Sequence, residues 1–343
     1  MSLGDFSYRV YSVTWNQKNY LQVCLLIHWG YRIRCSSFKL FKSILKILPG
    51  ALLLVYTGFH GSAEDANTEA KIKYGGDSYT VDYDREIIYA KGHAYFMKQN
   101  QRVNADRIEI YYAEDKQIAL FFGNVVFLDQ IHSSRIEGER GEVFFLNDLY
   151  VIEENAVYSD ERARIKAERI ESSRGEITTF QGGVDYTDGA YKIAADSLEI
   201  GDESARFRTG VEAIDIDTGD SIFCDSVDYF QGSGNITFNG DVVYLQKKSE
   251  AREDPLVIKA DALRFFSEQN TYLLLGNVLV LGGEIQVRSS TARYIKEADR
   301  LEAMGEVVVQ DRKNSIYCDT LVYDVKTRKM VYSDSVKGIL STK

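Results

Sequence analysis

Residues 255–283, PLVIKADALRFFSEQNTYLLLGNVLVLGG, contain the two phrases that decide the fold. The first is Ile-x-Ala-Asp-x-Leu-x-Phe, from Ile258 to Phe265; the second, beyond a polar turn at Ser267 to Asn270, is Leu-x-Gly-x-Val-x-Val, from Leu274 to Val280. Copies of the first phrase begin at Val103, Ile136, Ile165, Ile193, Ile222, Ile258, Val287 and Ile316, at intervals of 28 to 36 residues. A recurrence of that length marks stacked supersecondary units, each burying its apolar side against its neighbours. Each unit has room for two strands of about eight or nine residues, so the pattern predicts sixteen or more strands.

The second phrase recurs as Phe121-x-Gly123-x-Val125-x-Phe127, Phe180-x-Gly182-x-Val184-x-Tyr186, Phe238-x-Gly240-x-Val242-x-Tyr244, Leu274-x-Gly276-x-Val278-x-Val280 and Ala303-x-Gly305-x-Val307-x-Val309. Spacing of two places the aromatic residues, the glycines and the valines on one strand face, with a gap at each glycine. Gly-Asn and Asn-Gly are also tight-turn dipeptides. Polar turns already lie on both sides, and the alternation runs unbroken through the glycine, so a continuous strand is the preferred reading.

The first phrase breaks alternation. Ile258 and Ala260 share one parity, while Asp261, Leu263 and Phe265 share the other. A bulge or sharp bend at Ala-Asp restores a single apolar face and makes a corner where a sheet curls over. Asp106, Asp196, Asp225, Asp261 and Asp319 occupy that corner, with Glu139 and Glu168 in the equivalent place. They are expected to cap backbone amides freed by the bend rather than to form a calcium ladder.

Composition agrees with strands: 23 Tyr and 17 Phe against only 2 Pro. Residues 1–63 are basic, and the remainder holds 34 basic and 50 acidic residues, a net charge of −16. Such a body has no electrostatic case for binding nucleic acid, and it avoids an anionic membrane surface.

Residues 1–37 match nothing downstream and read as a leader or a mis-assigned start. Residues 38–63 read as a signal peptide: Lys39, Lys42 and Lys46, an apolar core from Ile47 to Phe59, and small residues at Gly61-Ser62-Ala63. The core is shorter than the ~20 residues of a spanning helix, which favours cleavage after Ala63 over an uncleaved inner-membrane anchor. Residues 64–343 then form a single repeat domain in the periplasm, beginning with an atypical repeat at Lys71 to Lys91 and carrying a charged insertion at 247–254.

No catalytic or metal-ligating constellation stands out, and no cofactor is implied. His93 and His132, the histidines beyond the signal, lack Cys, Asp or Glu at ligand spacing. Cys224 and Cys318 both fall at the Ala position of the first phrase, where a small buried residue belongs.

An export signal followed by repeated Gly-Asn-Val and Ile-x-Ala-Asp-x-Leu phrases resembles the OstA/LptA-like family of lipopolysaccharide-transport proteins, over roughly Lys71 to Val336. The resemblance implies an all-β, elongated repeat β-jellyroll, open at both ends. Its apolar interior would hold lipid A acyl chains while the sugar headgroup stays in solvent. It further implies end-to-end strand addition to other jellyroll transport components, bridging the inner and outer membranes, and leaves homo-oligomerisation open. The lipid-binding candidates are Phe121, Val125, Phe127, Phe180, Val184, Tyr186, Phe238, Val242, Tyr244, Val278, Val280, Val307 and Val309. Two departures stand out: more repeats than a minimal bridge protein needs, and no aromatic-girdled barrel after the repeats.

Since a body of net charge −16 gains nothing from a phosphorylated headgroup, affinity must come from the chains. At about 0.8 kcal/mol per buried methylene, a chain of about ten contributes on the order of 8 kcal/mol before ordering costs, so no catalysis is required. Two other classes remain: a β-solenoid scaffold or adhesin with a filled core and no lipid cargo, and a carbohydrate-active β-helix enzyme, which needs an exposed cluster of charged residues that the sequence lacks.

Overall fold

The computed structural model describes residues 72–340 apart from 115, 130–132, 162, 174–176, 202, 231, 248–255, 296, 299, 313 and 325–328. The leader, the export segment and most of the charged insertion lie outside the described residues. Twenty strands are described: β1 (Ile72–Gly75), β2 (Ser78–Asp82), β3 (Ile87–Lys98), β4 (Gln101–Ala113), β5 (Lys116–Asp129), β6 (Ser134–Phe144), β7 (Leu149–Ser159), β8 (Ala163–Ser173), β9 (Thr178–Asp188), β10 (Tyr191–Ile200), β11 (Ser204–Asp215), β12 (Ser221–Phe230), β13 (Asn235–Gln246), β14 (Leu256–Phe266), β15 (Thr271–Gly282), β16 (Ile285–Ile295), β17 (Arg300–Gln310), β18 (Asn314–Asp324), β19 (Lys329–Ser333) and β20 (Lys337–Leu340). From β3 to β18 each strand pairs antiparallel with the next, in one open sheet. Each end carries a split edge: β1 and β2 both pair with β3, and β19 and β20 both pair with β18.

The first phrase occupies the even strands β4 to β18 and the second the odd strands. The strands from β3 to β18 run to 10–14 residues, longer than the expected eight or nine, because each continues through a kink at its middle. On β15 the kink is Gly276-Asn277, with φ of 69° and 46°, and on β5 it is Gly123-Asn124, with φ of 73° and 48°. Two consecutive left-handed residues are the signature of a tight turn, yet here the strand continues and only changes direction. The register shows why: Asn239 faces Ala262 and Val242 faces Ala260, so Gly240-Asp241 of β13 stand opposite the single Asp261 of β14. The corner therefore falls at Ala-Asp, as the broken alternation requires, but the extra residue of the bulge belongs to the neighbouring strand.

The gap left by Gly123, Gly182, Gly240 and Gly276 is filled by that corner acid, and the one at Gly305 by Ser290. A Cβ built on Gly276 or Gly240 would overlap the carboxylate of Asp261 or Asp225. The carboxylates of Asp106 and Asp261 accept from the side-chain amides of Asn124 (2.9 Å) and Asn277 (3.0 Å), rather than from the freed backbone amides expected above. The glycine supplies the left-handed conformation, and the asparagine tolerates it and ties down the acid.

Along this line of kinks the sheet doubles over. Phe96 pairs with Val103, Val103 with Phe127 and Phe127 with Ile136, in a row on one side of the kinks; Ala90, Ile108 and Phe121 form the matching row on the other. Phe96 and Phe121 belong to different rows, yet their rings meet edge-on with centroids 5.8 Å apart. Tyr158 meets Phe180, and Tyr186 meets Phe207, in the same way at 6.1 and 6.2 Å. One half of the sheet thus packs on the other, two strands out of step. The core is the layer between the halves.

Tyrosines at the rim are anchored by turn carboxylates. Tyr158 donates to Asp160 (2.9 Å) and Tyr186 to Asp188 (3.0 Å), while the second oxygens of Asp160 and Asp188 accept from the turn amides of Ala163 and Tyr191 (both 2.7 Å). Burial, reinforced by the adjacent carboxylate, pushes both phenols well above their ordinary range.

Two outcomes follow from this geometry. Gly276→Ala should destabilise the protein by about 1–2 kcal/mol from backbone strain plus the clash with Asp261, and adding Asp261→Ala should restore only the clash component; urea denaturation of the three variants measures this. Because the folded state holds Tyr158 and Tyr186 protonated, their stabilisation is complete below pH ~10 and is lost above it, by up to about 1.4 kcal/mol per tyrosine per pH unit. Thermal melts between pH 8 and 11.5 should show this decline, and it should be shallower in a Tyr158→Phe/Tyr186→Phe variant.

Candidate lipid-binding interior

The thirteen residues singled out by parity fall into three rows of the interior. Phe127, Tyr186, Tyr244, Val280 and Val309 lie in the row that begins at Phe96 and runs without a break to Ile316. Phe121, Phe180 and Phe238 lie in the opposing row, which ends at Ala303, Leu321 and Tyr332. Val125, Val184, Val242, Val278 and Val307 lie at the kink, each paired with a small residue: Gly138, Ala195, Ala260, Ser289 and Cys318. A small partner is required there because the two halves approach most closely beside the fold line; a Cβ on Gly138 would meet Ile152 Cγ2 at 2.6 Å.

The even strands contribute as much lining as the odd ones. Ile108, Ile165, Ile258 and Leu263 are interior and buried, though the second phrase alone does not include them. The signal that finds them is the parity change in the first phrase: once the bend at Ala-Asp is granted, Ile258 and Leu263 must face the same side. Most of the interior is filled by these side chains. Phe121 is 0% and Val125 1% exposed, and Val280 is the half-buried exception among the thirteen.

Among the described residues, no charged side chain stands in either facing row. Charges there are confined to the outer face and the rims, where arginines pair with carboxylates, as in Arg208 with Asp228 (2.6 Å). At Glu302 burial opposes ionisation, but Arg293 and Arg300 outweigh it and hold the carboxyl below its usual range. Cys224 and Cys318 are buried free thiols at the small-residue positions, and burial with the neighbouring Asp225 pushes the Cys224 thiol up to about 12. A thiol so placed is packing rather than a nucleophile.

The two halves are joined by packing, not by a ladder. Strand hydrogen bonds run along the sheet. The polar ties seen across the halves gather at one place, where Lys98 reaches Asp148 and the Phe145 carbonyl, and Tyr150 reaches Gln101. Both ends of the sheet present edges with exposed apolar side chains: Tyr74 and Tyr79 at one, Val331 and Ile339 at the other.

No curated protein matches the chain. Among solved structures, it resembles LptH from Pseudomonas aeruginosa, described as the LptA-homologous periplasmic component of the lipopolysaccharide transport device. That similarity is at 13% identity, covering 52% of this chain and 95% of LptH, with a TM-score of 0.19, so the fold rests on the strand pairing and not on that superposition. The sequence model described as the LptA/(LptD N-terminal domain) LPS transport protein family matches residues 172–329. Those residues span β9 to β18, half of the strands of one continuous repeat. Residues 172–329 are thus similar to the LptA/LptD N-terminal family of LPS transport proteins, and the two phrases and the kinked open sheet run through the same residues.

Proposed function

We propose that this protein is a non-catalytic periplasmic carrier of lipopolysaccharide, taking lipid A acyl chains between the two halves of its folded sheet while the headgroup stays in solvent. The observation that carries this reading is the pair of uninterrupted apolar rows facing each other within a sheet whose backbone ladder, among the described residues, runs along its own surface and not between the halves. The halves can part without breaking a ladder, so chains can replace side-chain contacts at modest cost. The match of residues 172–329 to an LPS transport family supports the cargo, and the export pattern at Phe38 to Ala63 supports the compartment.

A second reading, a scaffold with no lipid cargo, is favoured by one observation: the interior from β3 to β13 is filled. Mass spectrometry of the protein purified from its own envelope separates the two. Acylated glucosamine lipid in near-stoichiometric amount is the expected result, and a lipid-free protein that also fails to take up added lipid A would leave the scaffold.

The split edges offer the route to partners. An edge strand with unpaired N–H and C=O groups invites another strand, and neither β1, β2, β19 nor β20 contains proline to forbid it. In this reading a second jellyroll continues the sheet and its apolar rows, whether a different transport component or another copy of this chain. Deleting Met330 to Lys343 should abolish that association in analytical ultracentrifugation; assembly at unchanged affinity would exclude this edge as the docking strand.

A further inference from the structure

The interior is not uniform along the sheet. In the first row, β3, β5, β7 and β9 contribute Phe96, Phe127, Tyr158 and Tyr186, all buried, whereas β15 to β18 contribute Val280, Val287, Val309 and Ile316. The facing row narrows to Ala292 and Ala303 on β16 and β17 before Leu321 and Tyr332 close it. Smaller side chains leave the space between the halves underfilled, and Val280, Val287 and Ile316 are only half buried.

Proximity to an open end does not account for this. At the opposite end β3 lies directly beside the edge strands, yet Phe96 is 1% and Ala90 0% exposed. Phe145 stacks on Phe96 there, with rings 5.5 Å apart and 2° from parallel, and the Lys98–Asp148 pair closes the rim above it. One end is plugged, while β15, further from its own edge, is open.

A further feature lies at the open end. A cavity of ≈ 290 Å³ lies among Ile285, Val309, Ile316, Met330, Tyr332 and Ile339, with Asp311, Asn314 and Ser315 also in its lining.

Building on the lipid-carrier reading, we infer that β15 to β20 form the resident acyl-chain site of this protein, while β3 to β11 are a closed, self-filled segment. The occupant assigned is a saturated alkyl chain. Every interior strand of this region already spends its backbone groups on its neighbours, so a peptide entering between the halves would bring N–H and C=O groups with nothing to meet. A hydrocarbon carries none.

The experiment uses the unmodified protein and a diazirine-bearing dodecanoate, photolysed and mapped by peptide mass spectrometry. Labels should fall on peptides containing Val287, Val309, Ile316 and Met330, at least tenfold above those containing Phe127 to Phe207. Ala303→Phe, which fills the taper, should weaken binding of a fluorescent dodecanoate by tenfold or more with the melting temperature preserved. Labelling that is uniform, or concentrated in β5 to β11, would overturn the location while leaving the carrier reading intact. Absence of any labelling would remove both. If Ala303→Phe abolishes self-association but labelling is unchanged, the cavity seats a neighbouring copy and the inference falls.

Discussion

The structure depends on one local contact repeated along the sheet: a pair of left-handed residues on one strand, Gly-Asn on β5 and β15, set against a single side chain, most often an acid, on the next. A one-sided apolar sheet has two ways to hide its face: it can pack on another layer, or it can double over on itself. With no helix among the described residues and each strand joined directly to the next, this chain takes the second course. Doubling over demands that every strand bend at the same height. The bulge supplies the bend, the absent glycine Cβ makes room for the carboxylate, and on β5 and β15 the asparagine amide donates to that carboxylate. Where the aspartate is replaced, the substitute still covers the glycine, as Glu168 does at Gly182 and Ser290 at Gly305.

Once the fold line is set, the remaining features follow from geometry. Residues beside the line must be small, which accounts for Ala260, Gly138, Ser289 and both buried cysteines in one row. Residues one step out meet their counterparts across the layer, which accounts for the edge-on aromatic pairs. Residues at the rim must satisfy both an interior phenol and a turn amide, and Asp160 and Asp188 do so with one oxygen each.

The same geometry bears on transport. On the carrier reading, a folded open sheet can admit an apolar chain between its halves by exchanging one apolar neighbour for another, with its backbone ladder intact. The filled interior toward the plugged end and the tapered interior toward the other describe a layer whose resistance to opening differs along its length. Where the side chains facing each other across the layer are smaller, less dispersion attraction holds the halves together, and parting them costs less.

The repeat, the strand assignment, the corner at Ala-Asp and the apolar parity were all legible in the sequence, because each depends on the order of residues over a few positions. Ile258 and Leu263 could be placed on one face from their spacing alone, and the small residue at Cys224 and Cys318 could be recognised by its place in the phrase. The partner of Asp261 could not, because it depends on which residue the register sets opposite; nor could the strand that carries the extra residue. That Phe96 touches Phe121 across the layer, two strands out of step, is invisible to any local pattern. The plugged end and the open one are likewise tertiary, since exposure at Val280 and burial at Phe96 depend on what the other half of the sheet presents. Sequence order sets which way each side chain points along a strand, and only the folding of the sheet onto itself sets what it meets.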